Sequence, residues 1–251
     1  MDGECSGIVV KADRVARRIS ALTPGGMWHF SHPSPSRGQP TRSARVFAAA
    51  LNPLCHSHFI FTSRERGWGW LKGAQLIEIL WPSQSHSDGE MTGDQRGALL
   101  AQLRVGARLR GLILSSQQPA GDCPLLFQLL LVSLRQLVRG APAAAVLAAF
   151  AVKLLLHEGL WSLPMQCARC DSAIERRGIA IDASGVYCDN CTAHARGTDF
   201  PFKFTLEEVE LIQAVGVNRD WPTLNALPIG EDLAERIAAV VELLVREGGS
   251  M

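Results

Sequence analysis

Cys167-Ala168-Arg169-Cys170, then seventeen residues, then Cys188-Asp189-Asn190-Cys191, is the stretch on which the organisation of this chain turns. Two Cys-x2-Cys knuckles separated by roughly 15–20 residues have the spacing of a four-thiolate zinc site. A tight turn lets both thiolates of one knuckle bind the same ion, and Zn2+ favours a tetrahedron of soft anionic ligands. Disulfides or chance spacing are the competing explanations. The insert carries Gly178-Ile179-Ala180-Ile181 and Val186-Tyr187, which can pair as short strands around a turn at Asp182 to Gly185. The expected unit is a zinc ribbon with one zinc ion held by Cys167, Cys170, Cys188 and Cys191. Four cysteines close the coordination sphere, so the ion's expected role is structural. His194 is near enough to substitute for a ligand, but reads better as a surface histidine.

Upstream of the ribbon the pattern is helical. Pro142 to Glu158 is apolar and closes at Gly159, a C-terminal cap residue. Pro124 to Arg139 is apolar nearly all round, with Pro124 suited to a first helical turn. From Asp94, residues Leu99, Leu100, Leu103, Ala107 and Leu112 approximate an apolar stripe, with Arg96, Arg104 and Arg108 opposite. Gly97, Gly106 and Gly111 weaken that helix, so it must depend on tertiary packing. Downstream, Thr205-Leu-Glu-Glu208 is a capping box opening a helix to about Val215. Gly216 to Gly230 reads as loop, and Glu231 to Arg246 as an amphipathic helix.

Residues 6 to about 80 read differently. Short β-prone runs at Ser6–Lys11, Arg17–Leu22, Met27–Ser31, His56–Thr62, Trp68–Lys72 and Gln75–Trp81 alternate with turns, among them Thr23-Pro24-Gly25-Gly26. Pro33 to Thr41 is loop, and Arg45–Leu51 fits either a strand or one helical turn. This many short strands in about 75 residues predict a small closed barrel. The fold class expected is therefore α+β. Residues 1–81 form a barrel, 82–93 a polar linker, 94–166 a helical domain and 167–191 the ribbon; 192–251 continue the helical domain.

Charge separates the same way. Residues 1–80 hold ten Lys/Arg against five Asp/Glu, a net +5, whereas the remainder nets −4 and the whole chain +1. A basic barrel on an acidic body suits a polyanionic partner, although an Arg-rich solvated surface fits the charge equally. Basic residues interleave with aromatics in Arg64-Glu65-Arg66-Gly67-Trp68-Gly69-Trp70-Leu71-Lys72, the pairing of phosphate-binding cations and base-stacking rings used for single strands. Trp28, Trp68 and Trp70 taken singly also fit core positions. The candidate nucleic-acid contacts are Lys11, Arg14, Arg17, Arg37, Arg42, Arg45, Arg64, Arg66, Trp68 and Lys72. No catalytic motif is present: no Gly-x-Ser-x-Gly, no phosphate loop, no His-Glu-x-x-His. His56-x-His58 could place two imidazoles on one strand face, and Cys55 lacks an obvious activating partner. The remaining cysteines, Cys5, Cys55 and Cys123, read as free thiols. With no apolar run near the ~20 residues of a membrane span and an acidic Met1–Ser6, they point to a reducing, cytoplasmic compartment.

In order and spacing these segments resemble the RecO family, bacterial recombination mediators of DNA repair. The resemblance is carried by Gly7-Ile8-Val9-Val10-Lys11, Leu22-Thr23-Pro24-Gly25-Gly26, Phe150-Ala-Val-Lys-Leu-Leu-Leu156, and Gly159-Leu-Trp-Ser-Leu-Pro164 leading into the cysteines. It implies an N-terminal OB-fold, a helical middle and a zinc module. It also implies a non-enzymatic role: binding single- and double-stranded DNA, annealing strands, and helping load recombinase onto strands covered by single-stranded-DNA-binding protein. The implied partners are DNA, RecR and single-stranded-DNA-binding protein, with no membrane, in the bacterial nucleoid. Family members usually carry a Lys/Arg-rich loop with a Gly-Ala pair after the third strand; here His32 to Arg45 is rich in Pro and Ser instead. The alternative is a zinc-ribbon scaffold for proteins with little intrinsic DNA affinity.

Overall fold

A computed structural model describes residues 2–32, 42–81, 92–116, 123–161, 166–174, 178–182, 184–193 and 200–248. The expected loop at 33–41 and most of the expected linker at 82–93 lie outside them, as do His194 and much of the Gly159–Pro164 lead-in. The chain is a mixed α+β protein of two compact units, Met1–Arg139 and Gly140–Met251.

The first unit begins with five strands: β1 (Asp2–Asp13), β2 (Arg18–Thr23), β3 (Gly26–Ser31), β4 (Cys55–Glu65) and β5 (Trp68–Ile79). They close in the order β1-β2-β3-β5-β4. Closure depends on β1 serving two neighbours: its first half pairs with β4 and its second with β2, either side of Ile8. A register shift between Val9 and Lys11 supplies the local bend. Alternation then sends Val9, Ile19, Ala21, Phe30, Phe59, Phe61 and Leu71 inward as a buried core. The Thr23–Gly26 turn is fixed by Thr23 Oγ1, which donates to Gly26 O at 3.0 Å and accepts from Gly25 N at 3.1 Å. The run expected as two strands, Trp68–Lys72 and Gln75–Trp81, is one strand. Register shifts at Ile60/Phe61 and His56/Ser57 absorb the extra residues Lys72 and Ile77 without breaking the ladder.

Arg45–Leu51, open between strand and helical turn, belongs to a nine-residue helix, α1 (Arg42–Ala50), between β3 and β4. Leu54 follows it in the left-handed region (φ 60°), fully buried, its N–H donating to Val9 O at 2.8 Å. Two helices follow, α2 (Gly93–Ser115) and α3 (Pro124–Val138). In α2 the buried positions are Val105, Gly106, Leu109, Leu112 and Ile113; of the expected stripe Leu112 is buried, Leu99, Leu103 and Ala107 are half-buried and Leu100 is exposed. The buried positions all fall in the second half of α2. At Gly106 a Cβ would stand 3.4 Å from Leu54 Cδ1, an ordinary van der Waals contact.

Helix α3 docks on the barrel. Cys123 N–H donates to Pro24 O at 2.8 Å, and Arg135 grips Glu78 of β5 through Nε (2.9 Å) and Nη2 (2.7 Å). Phe127 meets His56 edge-on at 5.8 Å. These contacts tie α3 to the barrel, and α2 and α3 belong to the same compact unit, which ends at Arg139.

The second unit is built on α4 (Ala143–His157), buried along Ala145–Val152 and ended by Gly159 at φ 69°. Packed with it are α6 (Leu206–Val217), α7 (Trp221–Ala226) and α8 (Glu231–Gly248), following the short α5 (Asp189–Ala193). The expected loop 216–230 therefore contains a helix. Asp220 caps it by accepting from Thr223 N at 3.0 Å, and Pro222 sits in its first turn. Lys153 of α4 donates to the carbonyls of Val215 (3.3 Å) and Asn218 (2.7 Å), closing the end of α6 with a cation. A three-stranded sheet, β7-β6-β8, completes the unit: β6 (Ile179–Asp182), β7 (Gly185–Cys188) and β8 (Phe202–Phe204). Among the described residues no helix is long and apolar enough to cross a membrane.

Candidate metal centre and nucleic-acid interface

The first knuckle is a turn in which Asp171 N–H returns to Cys167 O at 2.9 Å. Asp171 takes a left-handed φ of 55° to make it. Ala168 N–H then donates to Val186 O at 2.8 Å, which seats the knuckle against β7. Gly185 is required at this contact, since it holds φ 144° and a Cβ there would lie 3.1 Å from Ala168 Cβ. The second knuckle begins on the last residue of β7, Cys188, and continues into α5, where Cys191 lies. The outcome is four thiol sulfurs within 4.8 Å of one another.

The donor set fits a tetrahedral ion. Cys170 and Cys188 sulfurs stand 3.9 Å apart, and Zn–S bonds of about 2.3 Å set tetrahedral sulfurs about 3.8 Å apart. All four are free thiols, far beyond the S–S bond length of about 2.05 Å. The Cys167 thiol is held at about 6: burial opposes ionisation, but N–H groups of Cys188, Arg169 and Cys170 outweigh it. Burial and the three neighbouring thiols push Cys191 up to about 12. The sheet is three-stranded where two strands were expected, because Phe202–Phe204 adds to β6.

On the barrel, the residues facing away from the core assemble a second constellation. Register aligns Lys11, Ser20, His29 and Trp68 across β1, β2, β3 and β5. Ser31 and Trp70 line the next row with Arg18. Ser20 Oγ and His29 Nδ1 are hydrogen-bonded at 2.8 Å, and the His29 ring lies 4.8 Å from Trp68. Burial and then the nearby Lys11 charge lower the His29 pKa, so the ring sits neutral beside the indole. Arg18 lies 5.9 Å over Trp68 and Arg64 5.8 Å over Trp70, within cation–π range. Both tryptophans remain open, 37% and 40% exposed, while Trp28 packs inward against Phe61. Gly69 between them leaves the inner face to Phe61 and Phe30.

The expected contacts divide accordingly. Lys11, Arg64 and Trp68 come together on this face. Arg14 and Arg17 stand at the β1–β2 turn, Arg66 at the β4–β5 turn and Arg45 on α1, all exposed. Lys72 shares the outer face but is engaged by Asp2 at 2.7 Å. Arg42 lies in α1, and Arg37 falls outside the described residues. Arg18, His29 and Trp70 complete the face; Trp70 was legible in the Arg64–Lys72 run as a stacking ring or a core residue, whereas Arg18 and His29 were not singled out from sequence, since strand register, which no local motif reports, is what brings them in. The two histidines of His56-x-His58 do not converge: His56 is buried under Phe127, and His58 Nε2 lies 3.5 Å from Glu4. Burial raises the Cys55 thiol pKa.

An N-terminal strand unit, a helical unit and a clustered set of four thiols define the class: a mixed α+β protein with a metal-competent cysteine knuckle. Within that class the chain belongs to the RecO family of recombination and repair proteins. The family model described as "Recombination protein O C terminal" matches residues 107–247, more than half of the chain. None of the curated proteins compared with the chain matches it.

Proposed function

We propose that this protein is a non-enzymatic recombination mediator whose barrel is an OB-fold that binds single- and double-stranded DNA. The observation that carries the reading is the outer face of β1, β2, β3 and β5, where Lys11, Arg18 and Arg64 surround Trp68 and Trp70. The strand order β1-β2-β3-β5-β4 with a helix between the third and fourth strands supports the OB assignment. Phosphates neutralised by the guanidinium and ammonium groups release counterions, and bases stack on the indoles. A strand held this way has its charge reduced while its base edges stay free to pair, which is the physical requirement for annealing.

One structural zinc, on Cys167, Cys170, Cys188 and Cys191, holds the ribbon. Family membership favours RecR and single-stranded-DNA-binding protein as partners, and recombinase loading as the outcome. The test is fluorescence-anisotropy binding to a labelled single-stranded oligonucleotide across a salt series. Wild type binds with an affinity that falls steeply with salt. Each of Trp68→Ala and Trp70→Ala loses about tenfold, since one stacked base contributes about 1–3 kcal/mol. Absence of wild-type binding at low salt, with zinc retained, replaces this reading with the protein-scaffold one.

A further inference from the structure

The turn between β1 and β2, Arg14-Val15-Ala16-Arg17, is unlike the rest of the barrel surface. Val15 is 95% exposed, the most exposed large apolar side chain among the described residues. Arg14, Arg17 and Arg18 surround it within five positions. Arg17 holds φ 52°, in the left-handed region that favours glycine. The tip is nevertheless pinned. Ala16 N–H donates to Asp13 Oδ1 at 2.8 Å, and His32 N–H donates to Arg17 O at 3.1 Å. Arg14 Nη2 donates to Asn52 Oδ1 at 3.3 Å. An apolar point is thus held rigidly between cations, and Arg18 links it directly to Trp68.

We infer that this tip is a wedge for double-stranded nucleic acid, with Val15 entering the minor groove and Arg14 and Arg17 meeting the phosphates beside it. Apolar side chains inserted between base steps, with arginines in or along the groove, are how proteins grip a duplex without reading its sequence. A single strand offers no groove to such a tip; it offers bases, which the adjoining tryptophans take. The inference rests on the nucleic-acid reading above and adds to it a division of labour. Trp68 and Trp70 take the single strand, the tip takes the duplex, and the barrel as a whole holds the junction between them.

The experiment compares full-length wild type, Val15→Ser and Arg17→Gly by anisotropy on three labelled probes: a single strand, a blunt duplex and a duplex with a single-stranded overhang. Glycine suits the left-handed φ of residue 17, so Arg17→Gly removes the charge while keeping the turn, and melting curves of both variants confirm folding. Expected are losses of about fivefold on duplex and overhang probes, with single-strand affinity within about twofold. Arg17→Gly also lowers the duplex salt slope by about one, having lost one phosphate contact, whereas Val15→Ser leaves it unchanged. Unchanged duplex binding in both variants, or an equal loss on the single strand, overturns the wedge and leaves the tryptophan face standing. Failure of wild type to bind any probe removes the nucleic-acid reading, and the wedge with it.

Discussion

Two glycines of the first unit answer the same substitution in opposite ways. A Cβ at Gly69 would meet Phe61 Cδ2 at 2.9 Å and Phe30 Cδ1 at 3.2 Å, both rings of the barrel core. Gly69→Ala is therefore expected to cost about 1–3 kcal/mol, as overpacking does. At Gly97, exposed in α2, a Cβ meets nothing within 4 Å, so Gly97→Ala gains about 1 kcal/mol of helix propensity. Urea denaturation of the two variants checks the pair. His56 makes a pH prediction. Both its ring nitrogens are buried without a hydrogen-bond partner among the described residues, and burial, then Arg135, lower its pKa below 6.5 while Glu78 works the other way. The unfolded chain protonates first as pH falls, so the stability linked to His56 is complete above about 6.5 and is lost as pH drops toward the folded value. His56→Leu should flatten the stability-versus-pH curve just below 6.5; an identical acid slope in wild type and variant contradicts this role.

Elements whose signals are local could be read from the chain. The capping box of α6 is there as expected: Glu208 N–H donates to Thr205 Oγ1 at 3.3 Å, and Thr205 N–H to Glu208 Oε2 at 2.9 Å. Its glutamate additionally pairs with Arg236 of α8. Thr205→Ala should cost about 1 kcal/mol, measured as a lowered urea midpoint with unchanged slope. The four cysteines, the Gly159 cap and the turns that punctuate the barrel were legible for the same reason. Elements decided by distant partners were not. Phe202–Phe204 has no strand pattern of its own length and is a strand because β6 offers an edge. Trp221–Ala226 is too short for periodicity and depends on the Asp220 cap. The buried face of α2 centres on Val105–Ile113, where distant residues such as Leu54 approach Gly106. The basic-aromatic face was half legible: the Arg64–Lys72 run names one strand, but Arg18 and His29 reach it only through pairing with β3.

At the scale of the molecule, the division into two compact units predicts that they unfold separately. Among the described residues, the barrel unit, with its core at Phe30, Phe59 and Phe61, holds no metal-competent cluster. The second unit does, and its ribbon is tied to its helices. Gln213 of α6 donates to Ile174 O at 3.1 Å, and Arg236 of α8 donates to Lys203 O at 2.8 Å and lies over Phe204 at 5.0 Å. In such modules the free energy of metal binding is free energy of folding. Cys170→Ser, or wild type with a strong zinc chelator, should therefore lower the melting of the second unit and expose residues 166–248 to protease. The barrel unit should melt where it did before, so calorimetry resolves two transitions in place of one cooperative event. Single-strand binding by Trp68 and Trp70 should survive the same treatment, because that face lies wholly within the first unit. Unchanged melting together with full metal content in Cys170→Ser removes the zinc assignment. Simultaneous collapse of both transitions removes the independence of the two units.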